Sequence, residues 1–139
     1  MKLLKAGPLT FNAVAGSATG STPITVLQPP LFVFDLVRAG FRHIWQVALD
    51  GGDLVQLTTN GSDNQHGTRV GDKLVFASAR SGQNFDIFAM TVSTKVETNL
   101  TSTTGFPERD PTLSPNGQRV TFVSGESERG DVALRLVQR

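Results

Sequence analysis

The sequence predicts an all-β chain built from repeats of one short-stranded sheet, and three observations carry that expectation. Short β-branched and aromatic runs alternate with clusters of Gly, Pro, Asn and Asp, the pattern of strands joined by tight turns. No segment keeps an apolar period of about 3.6 residues over three turns, so no amphipathic helix is expected. Whole motifs also recur at a near-constant separation along the chain.

In chain order, strands are expected at Ile24–Leu27, Leu31–Leu36, His43–Leu49, Leu54–Thr58, Lys73–Ser78, Asp86–Val92, Val96–Thr101, Arg119–Ser124 and Asp131–Val137. Asp50-Gly51 and Asn116-Gly117 suit turns that need positive φ, and Gly71-Asp72 stands before a strand as Asn116-Gly117 does. Ahead of these, Leu9, Phe11, Ala13 and Ala15 alternate like one further strand over residues 8–15. Gly16-Ser17-Ala18-Thr19-Gly20-Ser21 then reads as a flexible linker.

The repeat supports this parsing from several independent positions. Ile44-Trp45 recurs as Ile87-Phe88, Leu57-Thr58 as Leu100-Thr101, and Ile87 as Val132. Val33-Phe34-Asp35-Leu36, Val75-Phe76-Ala77-Ser78 and Thr121-Phe122-Val123-Ser124 form a second series, and Arg38-Ala39-Gly40 matches Arg80-Ser81-Gly82. A period of about 40–45 residues holding four short strands is that of a β-propeller blade. Blades are expected at 23–59, 60–101 and 102–139, after an N-terminal strand and linker over 1–22. The third lacks a recognisable outermost strand, which residues 8–15 could supply. Propellers have about four to eight blades, so some three blades per chain imply closure, most simply by a homodimer with about six and otherwise by another propeller chain.

The run from Asp110-Pro111-Thr112-Leu113-Ser114-Pro115-Asn116-Gly117 through Val120-Thr121-Phe122-Val123-Ser124 resembles the signature of TolB-type propeller repeats. That signature joins Pro-x-x-Ser-Pro-Asp-Gly, an aliphatic-Phe-x-Ser strand, an Arg-x-Gly turn and an Asp-Ile-aromatic strand. Val75-Phe76-Ala77-Ser78-Ala79-Arg80-Ser81-Gly82 and Asp86-Ile87-Phe88 carry its later parts. Thr68-Arg69-Val70-Gly71-Asp72 departs from the first part, and Gly125-Glu126-Ser127-Glu128-Arg129-Gly130 departs from the turn. The resemblance spans roughly residues 23–138. It implies a periplasmic or extracellular scaffold, or the non-catalytic propeller of a peptidase-like hydrolase assembly. A structural subunit of a filament or coat is a further alternative.

Composition narrows the functional classes. The 139 residues carry 13 Lys and Arg against 12 Asp and Glu, so no global field collects nucleic acid or an anionic membrane. No run of about 18 apolar residues suggests a membrane span. Cysteine is absent, which removes disulfides and thiolate chemistry. Met1-Lys2-Leu3-Leu4-Lys5 and Ala13-Val14-Ala15 imitate the ends of a signal peptide. Gly7, Pro8, Thr10 and Asn12 nevertheless break the stretch between them too often for its usual apolar core of about 7–15 residues.

No Ser, His and carboxylate pattern suggests a nucleophilic triad, and no glycine-rich phosphate loop is present, so a non-catalytic protein without cofactor is expected. Ser127 reads as a turn residue. His43 opens a strand and reads as a surface or edge residue, and no metal site is expected from two dispersed histidines. The sequon Asn99-Leu100-Thr101 coincides with a repeated strand end, which accounts for it structurally. In a propeller the outermost strand of one blade runs to the innermost strand of the next, ending beside the central channel. Residues 59–68 and 102–110 are those connections. They place Asp63, His66, Arg69, Glu108, Arg109 and Asp110 at the channel mouth, where mixed charge suits a protein or small polar ligand.

Overall fold

The computed structural model describes the backbone of residues 8–15, 18–25, 30–82, 84–125 and 131–136, and the side chains of 30–82 and 84–125. Within these residues the chain is all-β and antiparallel. A hairpin pairs β1 (Pro8–Ala15) with β2 (Ala18–Thr25). The first sheet then runs β3 (Leu31–Arg38), β4 (Phe41–Ala48), β5 (Val55–Gln56). A four-stranded second sheet follows, β6 (Asn64–Val70), β7 (Lys73–Ser78), β8 (Asp86–Thr91) and β9 (Val96–Asn99). The third sheet is β10 (Glu108–Leu113), β11 (Arg119–Ser124) and β12 (Asp131–Leu136). Each sheet is a meander of neighbouring strands, as in a propeller blade.

The repeat is visible in the hydrogen bonding. Phe34 lies opposite Trp45 in the first sheet as Phe76 lies opposite Phe88 in the second. The Ile44 N–H donates to Thr58 Oγ1 at 2.9 Å, and the Ile87 N–H donates to Thr101 Oγ1 at 3.0 Å. Leu57 N–H and Leu100 N–H return to the Ile44 and Ile87 carbonyls, each at 2.8 Å. The Leu-Thr dipeptide is thus a latch that ends the outer strand and satisfies the strand beside it. Asn99 braces the second latch: its amide donates to Asp86 Oδ2 at 2.9 Å and its oxygen accepts from Thr101 N–H at 3.1 Å. The arginine of the Arg-x-Gly turn also repeats its role. Arg38 lies over Trp45 at 5.5 Å and Arg80 over Phe88 at 4.4 Å.

Turn chemistry follows the expected positions, with positive φ at Gly51, Gly71 and Gly117. Asp72, in the turn before β7, also locks the next hairpin. Its backbone carbonyl accepts from Val92 N–H at 2.8 Å, and its carboxylate accepts from Ser93 N–H at 2.9 Å. The Ser93 hydroxyl bond holds the Asp72 carboxyl below its ordinary pKa.

Two apolar layers hold the sheets together. Between the first and second sheets lie Ile44, Leu57, Leu74, Phe76, Phe88 and Met90, with Phe76 and Phe88 stacked at 6.1 Å. Between the second and third lie Val75, Ala77, Ile87, Leu113, Val120 and Phe122. Phe76 and Phe122 therefore fill the same repeat position in successive layers, as their alignment requires.

Several expectations change. Among the described residues only the second sheet has four strands. Among the described residues the first has no inner strand, and Ala18–Thr25, expected to be linker and then the start of a strand, is instead hydrogen-bonded along its length to β1. Among the described residues β1 pairs with β2, not with the third sheet. His43, expected at a surface or edge, is buried on the central strand of its sheet. Val26, Leu27, Val137, the Met1–Lys5 segment and the turn containing Ser127 lie outside the described residues.

Replacing Phe76 or Phe122 with Ala should destabilise the fold by about 3–5 kcal/mol, the range for large buried aromatics, measurable by denaturant titration. Thr101→Val should cost about 1–3 kcal/mol by leaving the buried Ile87 N–H without an acceptor. An unchanged midpoint in Thr101→Val would refute the latch.

Candidate functional site

The site grows out of two irregular strands. β6 and β10 are the innermost strands of their sheets, and each breaks register once, between Gln65 and Thr68 and between Arg109 and Thr112. His66 and Asp110 occupy these bulges at equivalent positions, with left-handed φ of 56° and 53°. A bulge bends its strand and re-aims the side chain it carries. Here it turns the two residues toward each other, with His66 Nδ1 at 2.8 Å from Asp110 Oδ1. Both remain open to solvent, at 39% and 56% side-chain exposure.

The first sheet closes the other side. Asp35 Oδ1 accepts from His66 N–H at 3.4 Å, while Asp35 Oδ2 accepts from Arg42 Nη1 at 3.2 Å. The Arg42 backbone N–H donates to Asp63 Oδ1 at 2.7 Å. Asp35, Arg42, Asp63, His66 and Asp110 thus form one polar cluster across the inner ends of three sheets. Gly67, next to His66, is required by close packing. A Cβ there would stand 2.7 Å from Ile44 Cγ2 and 3.2 Å from Val33 Cγ1.

The expected site residues separate into two groups. Asp63, His66 and Asp110 come together. Arg69 leaves the cluster: its Nε donates to Gly71 O at 2.7 Å and its Nη1 donates to Gln46 Oε1, tying β6 to β4. Arg109 donates from Nη2 to Gly125 O at 3.1 Å. Glu108 is 1% exposed, and its Oε1 accepts from the Thr103 hydroxyl at 3.0 Å. The Thr103 N–H turns to Asp86 Oδ1 at 3.3 Å, so Thr103 bridges two buried carboxylates beneath the 100–107 connection. The connections also end earlier than expected. β6 starts at Asn64 and β10 at Glu108, which leaves Asp63 alone of the six in a loop.

Asp35 and Arg42 are the site residues that sequence reasoning missed. A signal was present, because Asp35 stands where Ala77 and Val123 stand in the other repeats. A charge at an otherwise apolar repeat position needs a partner.

Chemically, the cluster offers carboxylate acceptors and one imidazole held by a carboxylate. A His–carboxylate pair is the orienting part of a nucleophile-activating triad. Among the described residues no serine, threonine or lysine side chain hydrogen-bonds the imidazole, and no group of three or more His, Cys, Asp or Glu is placed to hold a metal ion.

The stacked meanders define a β-propeller. Among solved structures the chain is similar to a putative TolB from Agrobacterium tumefaciens, with a TM-score of 0.62 and 23% identity over 75% of this chain and 40% of that one. It is also similar to TolB from Acinetobacter baumannii, with a TM-score of 0.62 and 22% identity over 93% of this chain and 38% of that one. The fold is therefore of the TolB propeller type, and the chain spans about two fifths of the length of those proteins. No protein-family model and no curated protein matches the sequence.

Gly67→Ala should destabilise by about 1–3 kcal/mol through overpacking against Ile44. Thermal unfolding checks this, and an unaltered melting temperature would mean that β6 has room to move away from the first sheet.

Proposed function

We propose that the chain is a non-catalytic β-propeller scaffold or binding protein that presents the mouth of its channel to a protein or small polar ligand. Its sheets act as blades over 23–59, 60–101 and 102–139, following the N-terminal segment 1–22. The ring is completed by a second copy, giving about six blades. A periplasmic or extracellular location accompanies this reading through the TolB-type resemblance.

The His66–Asp110 pair carries the proposal. Two non-glycine residues hold left-handed backbone at equivalent bulges, and such conformations gather at ligand clamps and active sites. Their polar atoms meet in the open at the inner edge of the stack. Asp63, His66 and Asp110 are the contact residues, with Asp35 and Arg42 positioning them. Arg69, Glu108 and Arg109 support the strands and connections that carry the site.

Calorimetric titration with a panel of short peptides and polar amino acids tests this. A bound member should lose about tenfold or more in affinity in His66→Ala and Asp110→Ala, roughly 1.4 kcal/mol per decade. Stability should stay within about 0.5 kcal/mol of the parent, because both side chains are exposed. Affinity unchanged in both variants would place the ligand elsewhere and sink this assignment.

A further inference from the structure

The strongest unused feature is the outer face of the first sheet. Phe32, Phe34 and Leu36 project from β3 and are 56%, 36% and 44% exposed. Their register partners on β4 are Val47, Trp45 and His43, of which Trp45 and His43 are buried, so the open part of this face is its β3 half. In the second sheet the same positions hold Leu74, Phe76 and Ser78, opposite Met90, Phe88 and Asp86. There, Leu74 and Phe76 are fully buried, covered by Ile44 and Leu57 of the preceding sheet. The chain therefore shows what covers this face when it is satisfied: the opposite face of another such sheet.

The complementary face lies at the other end of the same chain. Thr121 and Val123 of β11 stand at the positions of Val75 and Ala77, whose side chains are buried against Val120 and Phe122 of the following sheet. Thr121 and Val123 themselves are half-buried. One molecule thus carries both halves of an interface that it already forms twice internally.

We infer that the Phe32–Phe34–Leu36 face of one copy docks on the Thr121–Val123 face of a second copy, and that the reciprocal contact closes a twofold ring. This rests on the ring-closure reading above and gives it a surface. A contact between two Phe32–Phe34–Leu36 faces would cover that patch but leave both third sheets open. The head-to-tail contact repeated twice leaves neither face open.

Light scattering behind a sizing column should give twice the 14.9 kDa chain mass at micromolar concentration. Phe34→Glu and Val123→Glu should each shift the species to monomer with an unchanged circular dichroism spectrum. Val96→Glu, an exposed apolar position on β9, should leave the dimer intact. The absence of cysteine permits a direct test of the pairing. Phe34→Cys mixed with Val123→Cys should cross-link through a bismaleimide spanning about 10 Å, the usual separation of stacked sheets, and neither variant should cross-link with itself. A monomeric parent protein would overturn ring closure and this interface together. A dimer that persists in both Glu variants, or that cross-links Phe34→Cys to itself, would overturn this interface and leave dimerisation standing.

Discussion

The central sheet has no side that tolerates water, and the rest of the chain is arranged around that fact. Successive side chains of a strand point to opposite faces. In β7, Leu74 and Phe76 face one way, Val75 and Ala77 the other, and all four are buried. Such a sheet must be held between two others. The first sheet meets it with Ile44 and Leu57, the third with Val120 and Phe122. Each neighbour is then left with an outer face of the same ancestry. A ring is the architecture in which sheets of this kind run out of ends, and the right-handed twist of each sheet turns a linear stack into radial repetition.

Legibility in the sequence followed the same division between apolar and polar strands. Lys73–Ser78 and Arg119–Ser124 occur with the expected bounds, because their apolar runs are bracketed by turn residues and bury two faces in the first case and one in the second. The inner strands were hidden. Asn64-Gln65-His66-Gly67-Thr68-Arg69 is polar and breaks its period of two at a bulge. Pro111 likewise argues against a strand, except at a bulge, which is where it sits. Ala18–Thr25 looked like linker because its Gly, Ser and Thr content suits one, yet pairing with β1 satisfies its backbone regardless of side chains.

The site was legible in outline only. Treating 59–68 and 102–110 as loops brought Asp63, His66 and Asp110 into one neighbourhood, where the structure also has them. The same reasoning swept in Arg69, Glu108 and Arg109, because a loop gives no rule for which side chain points where. Once these stretches are strands, alternation and the bulge supply that rule. Glu108 turns into the core under the 100–107 connection, and Arg69 reaches β4. Asp35 and Arg42 come from a different repeat, more than about twenty positions upstream, so only the comparison of Asp35 with Ala77 and Val123 could have drawn them in.

That substitution also explains why the polar cluster sits where it does. Asp35 interrupts the apolar seam between the first two sheets at its inner end, while Val33, Ile44 and Leu57 keep the remainder dry. The Arg42 guanidinium and the His66 backbone N–H satisfy the carboxylate. The desolvation cost of a charge in the seam is thereby limited to its solvent-facing edge. Because Asp35 holds the backbone of His66 and His66 holds Asp110, three sheets are cross-linked through one chain of polar contacts. His66 and Asp110 consequently stand on strands fixed by packing against a neighbouring sheet, with bulges setting their direction. A ligand of the proposed site would therefore meet preformed strand geometry at His66 and Asp110, with little ordering of loops to oppose it.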